Sequence, residues 1–225
     1  IKTLARLYDL QHDPEYAKKM TYESPTTGDQ VGMSFLTPRT HEDLDRRREM
    51  MRNWAKITCG MMGRTPDFLN VSLMSMAAAG KYFGQNRPEF EKNIQDYYEL
   101  VREKDLVLTH TLVNIQRNRS GAATALDDSV DVALSVVKES DQGIIVHGAR
   151  VLATLPIADE IAVYPARSHY LPKDGSDPYS FAFAIPCNTP GLKFLCRDTL
   201  DMRRSHFDHP LGSRFDEMDA IVFFD

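Results

Sequence analysis

Three short stretches of the chain gather side chains able to bind a ligand or move a proton. In RTPDF, Arg64 places a cation at a Gly-Arg-Thr-Pro junction that ends on Phe68. The same pattern is satisfied by a helix N-cap with a surface arginine. In LTHTLVNIQRNR, the residues His110, Thr111, Asn114, Gln116, Asn118 and Arg119 crowd the end of an otherwise apolar segment. Polar groups beside buried apolar ones need partners, and a ligand's polar edge is one way to supply them. A helix C-terminus whose dipole favours cations accounts for the same residues. In ARVLATLPIADE, Thr154 and Pro156 interrupt a strand that must otherwise be buried, as a bulge or a strand end also does. Several familiar signatures are absent. No GxGxxG follows a strand and no GxxxxGK[ST] occurs, so a Gly-rich loop cradling phosphates has no support. HExxH, CxxC and a GxSxG elbow are missing too, and Cys59, Cys187 and Cys196 do not pair at metal-ligand spacing, so no metal is expected.

The elements that must position these residues change character once. HEDLDRRREMMRNWAKITCGMMG sets Leu44, Met51, Trp54 and Ile57 on one helical face, with Thr40 as N-cap and Glu42 and Asp43 in the first turn. Gly63 is expected to end that helix, and Pro66 stands where the next begins. A long helix is expected from Pro88 through the LTHTLVN stretch, its apolar face formed by Phe90, Ile94, Tyr97, Tyr98, Val101, Leu106 and Leu108. Trp54, the AAAG run and the Met-rich stretch read as core, and Cys59 as a buried small apolar residue.

From about Val132 the period shortens to that of strands, in LSVVKES, GIIVHGARVLAT, EIAVYPARS, YSFAFAIP, GLKFLCR and AIVFFD. GIIVHGARV reads as a hairpin with His147 and Gly148 at its turn. No strand alternates cleanly with a helix, so an antiparallel sheet or barrel is favoured over a doubly wound sheet. The expected organisation is α+β: a helical domain over residues 1–126 and an all-β domain over 127–225.

Composition sets the outer bounds. The 225 residues are 42% hydrophobic and 26% charged, ordinary for a globular protein with a real core. A net charge of −5 argues against nucleic acid as the main partner, and Arg46, Arg47 and Arg48 lie among Glu42, Asp43, Asp45 and Glu49 as on a solvated helix face. No apolar run approaches the roughly 20 residues of a membrane span, and no signal peptide opens the chain. Three cysteines form no disulfide framework, so a cytoplasmic setting is expected. Both ends read as cut, since the chain starts without Met on an amphipathic pattern and stops on MDAIVFFD.

Taken together, MMGRTPDF, AAAGKYF, LTHTLVNIQRNR, VVKESDQGIIVHGARVLATLPIADE and DEMDAIVFFD resemble one family. It is the oxygenase component of the 4-hydroxyphenylacetate 3-monooxygenases and related phenol and chlorophenol hydroxylases. The resemblance runs in order from about Leu36 to the last residue. It implies an acyl-CoA-dehydrogenase-like fold: an N-terminal helical domain, a middle β-barrel domain and a C-terminal four-helix bundle, the last missing here. It also implies tetramers or dimers, reduced FAD delivered by a separate NAD(P)H-flavin reductase, and dioxygen as co-substrate. The reaction implied is hydroxylation of a phenol such as 4-hydroxyphenylacetate ortho to its hydroxyl, through a flavin C4a-hydroperoxide that a dry pocket must protect. Arg64 matches a residue that orients and polarises the phenol hydroxyl, and His110 one that handles the proton. His110, Thr111, Gln116, Arg119 and Thr154 match positions at the flavin.

One departure bears on substrate choice. Many 4-hydroxyphenylacetate enzymes carry Tyr where this chain has Phe68, which removes one hydrogen-bond partner from the pocket. Arg167, in YPARSHY, could pair with a substrate carboxylate or be an exposed loop cation, and residues 173–179 read as a loop over the substrate. Two alternatives share the fold: a dehydratase acting on 4-hydroxybutyryl-CoA, which needs cysteine-held iron and sulfur, and a non-catalytic flavin-binding relative. An acyl-CoA dehydrogenase proper does not carry RTPDF or LTHT.

Overall fold

The protein was analysed as a computed structural model that describes residues 2–63, 65–115, 132–165, 178–199, 205 and 207–225. Two units emerge: Ile1–Val107 with Leu200–Asp216, and Leu108–Thr199 with Glu217–Asp225. The expected division between 126 and 127 falls outside the described residues.

In the first unit Thr40 starts the helix its sequence specifies most clearly. Its hydroxyl accepts from the Asp43 amide (3.2 Å) while the Asp43 carboxylate accepts from the Thr40 amide (3.0 Å), a complete capping box. In chain order this unit has α1 (Lys2–Asp9), α2 (Ala17–Met20), the hairpin β1 (Thr21–Glu23) and β2 (Gln30–Gly32), and a 3-10 turn at Met33–Phe35. There follow α3 (His41–Thr58), α4 (Asp67–Ala78), α5 (Gly80–Phe83), α6 (Glu89–Glu103) and, late in the chain, α7 (Gly212–Phe215). The Thr3 hydroxyl donates to the Arg214 carbonyl (2.7 Å), joining α1 to α7.

Helix α3 departs from expectation on two points. It ends at Thr58, because Cys59 adopts a left-handed cap (φ 52°) and Gly60 continues it (φ 69°), five residues short of Gly63. That cap position leaves Cys59 exposed and not buried. The buried face is also rotated: Leu44 and Met51 are 52% and 42% exposed, while Arg47, Met50, Asn53, Trp54 and Thr58 point inward. Apolar spacing mis-set the face because two polar residues, Arg47 and Asn53, belong to the interior. Trp54 is core, its indole N–H donating to the Leu7 carbonyl (2.9 Å).

Helix α6 is shorter than its apolar pattern suggested. It stops at Glu103, and Asp105 takes φ 49°, which few residues other than Gly sustain and which breaks helical continuity. Beyond it the LTHT stretch is strand and not helix end. Tyr98 anchors α6 by donating to the Phe35 carbonyl (2.6 Å).

The second unit consists of β3 (Leu108–Thr111), β4 (Val113–Asn114), β5 (Ser135–Ser140), β6 (Gly143–Thr154), β7 (Glu160–Val163), β8 (Phe183–Pro186), β9 (Leu192–Cys196) and β10 (Asp219–Phe224). One sheet runs β4-β6-β10-β9 with β5 also on β6, and another runs β3-β7-β8. All the pairings between these strands are antiparallel except β3 with β7. Along β10 the side chains of Ala220, Val222 and Phe224 alternate into a core with Leu134, Ala153, Ile161 and Val163.

The expected hairpin turn at His147–Gly148 is corrected by the register. Ser140 pairs with Gly143, so the turn is Asp141–Gln142, and β6 runs through His147 and Gly148 without reversing. Gly148 serves a different need. It sits at φ 123° where a Cβ would lie 2.6 Å from the Ala133 carbonyl oxygen, so only glycine lets these backbones pass. No helix among the described residues is long and apolar enough to cross a membrane.

Gly148→Ala is expected to destabilise the β unit by about 2–4 kcal/mol, from backbone strain plus the clash. Urea unfolding followed by circular dichroism checks this, and a midpoint within error of the parent would remove the close-approach argument.

Candidate functional site

The polar centre of the β unit is built by strand alternation. Thr109 and Thr111 lie two residues apart on β3 and so share a face, which looks toward β6. The Thr109 hydroxyl donates to the Thr154 carbonyl, and the Thr111 hydroxyl to the Val151 carbonyl (2.8 Å). His110, between them, projects to the other side of β3 and is 4% exposed. The parallel ladder fixes its height, with His110 opposite Ala162 and Thr111 opposite Val163. Thr154 is the last residue of β6, and its hydroxyl donates to the Asp219 carboxylate (2.8 Å) at the start of β10.

Thr154 is therefore a strand end, and the bulge lies just before it, between the pairs Ala220↔Ala153 and Val222↔Arg150. Leu155 then takes φ 60°, a left-handed conformation that costs free energy in a branched residue, held by its amide donating to the Met218 carbonyl (2.8 Å). Strained backbone beside buried polar groups is the usual signature of a site where position outweighs stability.

The chemistry open to this cluster follows from where its protons go. The three threonine hydroxyls donate within the chain, so toward a ligand they retain lone pairs and can accept from an N–H or O–H. An imidazole both accepts and donates hydrogen bonds, which gives His110, on the opposite face of β3, the chemistry of a proton carrier.

The RTPDF stretch belongs to the other unit. Arg64 lies outside the described residues, and Phe68 is on α4, 48% exposed. What the structure shows is the brace behind it. Arg47, 6% exposed on α3, donates to the carbonyls of Ser34 (2.9 Å) and Leu36 (2.8 Å) and to the Asp67 carboxylate (3.3 Å). Burial pushes the Asp67 carboxyl above its ordinary range, against the opposing pull of Arg47.

Of the residues expected from sequence, His110, Thr111 and Thr154 come together in one unit. Gln116, Arg119 and Arg167, like Arg64, lie outside the described residues. Three participants were missed. Thr109 was hidden by reading LTHT as helix, although its period of two with Thr111 was visible. Asp219 and Arg47 carry no local signal, because their roles come from register and from tertiary packing.

The family model described as 4-hydroxyphenylacetate 3-hydroxylase N terminal matches residues 1–225. The oxygenase component of 4-hydroxyphenylacetate 3-monooxygenase from Thermus thermophilus is 47% identical over 225 residues, covering 100% of this chain and 45% of that protein. Its Geobacillus counterpart is 49% identical over 226 residues, again with 45% of its length covered. A crystal structure of such an oxygenase component, complexed with FAD and 4-hydroxyphenylacetate, superposes with a TM-score of 0.86 at 47% identity, over 100% of this chain and 45% of that one. The chain thus spans about half the length of the relatives it matches.

Arg47→Met is expected to cost about 3–5 kcal/mol, since it leaves two carbonyls and a buried carboxylate without their cation. The loss should grow with pH. Asp67 has a folded pKa already raised by burial, so stability is fully present below its unfolded pKa and is lost as pH rises through the folded one. Unfolding of the variant at pH 5 and pH 8 tests this, and a cost that is equal at both would refute the carboxylate's part in it.

Proposed function

The chain belongs to the 4-hydroxyphenylacetate 3-hydroxylase family, and we propose that it supplies the front part of an oxygenase component that hydroxylates a phenol ortho to its hydroxyl. The observation that carries this reading is the buried polar strand β3, with His110 on one face and Thr111 on the face toward β6, whose end at Thr154 adjoins the strained Leu155. It is supported by the relative solved with FAD and 4-hydroxyphenylacetate.

In this reading FAD, bound in its reduced form, supplies the two electrons that activate dioxygen, one oxygen going to the ring and the other to water. The chain's own residues do the rest. Arg64 holds the phenol oxygen and lowers its pKa, so that the more nucleophilic phenolate is favoured. His110 accepts the phenol proton and returns one at neutral pH. Thr111 and Thr154 accept from the flavin ring's N–H groups, with Gln116 and Arg119 completing the flavin contacts. Phe68 lines the substrate pocket as an apolar wall, and Arg167 pairs with a substrate carboxylate. The middle part closes as a β-barrel and a C-terminal helical bundle follows it, with assembly as a homotetramer or dimer in the cytoplasm. A separate NAD(P)H-flavin reductase delivers the reduced flavin.

The experiment uses the full-length protein, mixed anaerobically with reduced FAD and then exposed to oxygen in a stopped-flow spectrometer. With 4-hydroxyphenylacetate present, a transient distinct from reduced and oxidised flavin should decay faster and yield a catechol. Immediate flavin oxidation with only hydrogen peroxide formed would reject the oxygenase reading. His110→Asn should lower catechol formation roughly 100-fold while leaving the FAD Kd within a few-fold. Thr154→Val should instead weaken FAD binding about 5–10-fold, the loss of one hydrogen bond, as read by flavin fluorescence titration.

A further inference from the structure

Arg150 has no solvent exposure and heads the fully buried side chains by volume. Register places it inside the β unit. On β6 it pairs with Val222 of β10 on one side and with Asn114 of β4 on the other, and paired residues project to the same face of a sheet. Val222 belongs to the apolar core, so the guanidinium lies in that core as well. Its central carbon sits 5.6 Å from the centre of the Phe181 ring, which stacks on Phe183 (5.8 Å), and Phe183 meets Phe224 edge-on (5.9 Å).

A cation–π contact stabilises the charge but engages none of the N–H groups. Among the described residues, Nε, Nη1 and Nη2 of Arg150 have no hydrogen-bond acceptor, and across the ladder the buried Oδ1 of Asn114 has no donor. Burial pushes the guanidinium down to about 10, still far above neutral pH, so the group remains a cation. Arg47 shows how this chain satisfies a buried arginine, with two carbonyls and a carboxylate. Arg150 has the same need and none of those partners.

We propose that Arg150 and Asn114 form an interior anion site in the β unit that takes a small planar oxyanion carrying one O–H group, of which hydrogencarbonate is the smallest. The planar fork of a guanidinium donates in parallel to two oxygens of such an ion. The third oxygen carries the proton that Asn114 Oδ1 lacks, so one ligand satisfies both sets of orphaned atoms. The face of Phe181 bounds the site on one side. This site is independent of the flavin reading, because neither residue has a part in it.

Thermal melts of the protein at pH 8, with sodium hydrogencarbonate or sodium nitrate at fixed ionic strength, test the site. Nitrate has the same planar shape and charge but no O–H. Hydrogencarbonate should raise Tm saturably, by roughly 3–8 °C, and nitrate by less. Asn114→Leu should abolish the preference for hydrogencarbonate over nitrate, and Arg150→Met should abolish both responses. Should Arg150→Met fail to fold, Arg150→Lys, which keeps the charge without the fork, must lose most of the hydrogencarbonate response. Carbon-13 hydrogencarbonate should broaden in NMR more with the parent protein than with Asn114→Leu. A parent Tm indifferent to hydrogencarbonate, or variants that respond as the parent does, would overturn the proposal and leave the counter-charge to the chain's own carboxylates.

Discussion

The β unit depends on one long strand, β6, that pairs in turn with three others. β5 pairs with it over Gly143–His147, β10 over Gly148–Thr154, and β4 at Arg150 and Val151. Each partner constrains the register of its own stretch of β6, and a slip of one residue would turn Val222's partner outward. Gly148 and the bulge after Arg150 are two irregularities of this arrangement, beside a register shift at Val136–Lys138 of β5. The first lets Ala133 approach, and the second realigns the strand so that Ala153 and Arg150 both face inward. Thr154 is delivered to Asp219 only because that realignment has happened.

Two buried arginines show the same physics with different solutions. Arg47 is enclosed by carbonyl oxygens and the Asp67 carboxylate, so its desolvation is offset by charge-assisted hydrogen bonds. Arg150 has an aromatic face and, among the described residues, no acceptor. The contrast is between elements as much as residues. A loop such as Ser34 to Leu36 can turn carbonyls toward a guanidinium, whereas strand carbonyls are committed to their ladders and cannot.

Much of the helical part was legible because its signals are local. The Thr40 capping box, the Pro66 start and the core position of Trp54 all come from residues within a turn or so of each other. What failed was non-local. The apolar count put Leu44 and Met51 inside, since nothing nearby reveals that Arg47 will find carbonyls thirteen and eleven residues upstream. LTHT continued an apolar helical pattern and became a strand only because β7, some fifty residues on, offered a parallel partner. His110, Thr111 and Thr154 were nonetheless picked out, as polar residues where the pattern demanded apolar ones. The hydrogen-bond partners that orient them, Thr109 and Asp219, are set by register and leave no trace in their own neighbourhoods.

The bond from Thr3 to the Arg214 carbonyl spans the order in which the chain is made. Helices α1 to α6 are synthesised first, yet α7 and its segment belong to their unit and arrive only after the strands from β3 to β9. At about 5–20 residues per second, a nascent helical unit on the ribosome waits on the order of ten seconds for that closing piece. During this interval the α1 surface meant for α7 is open to other contacts. A chaperone that binds amphipathic helices would find its opportunity there, and slower translation across the β strands would lengthen it.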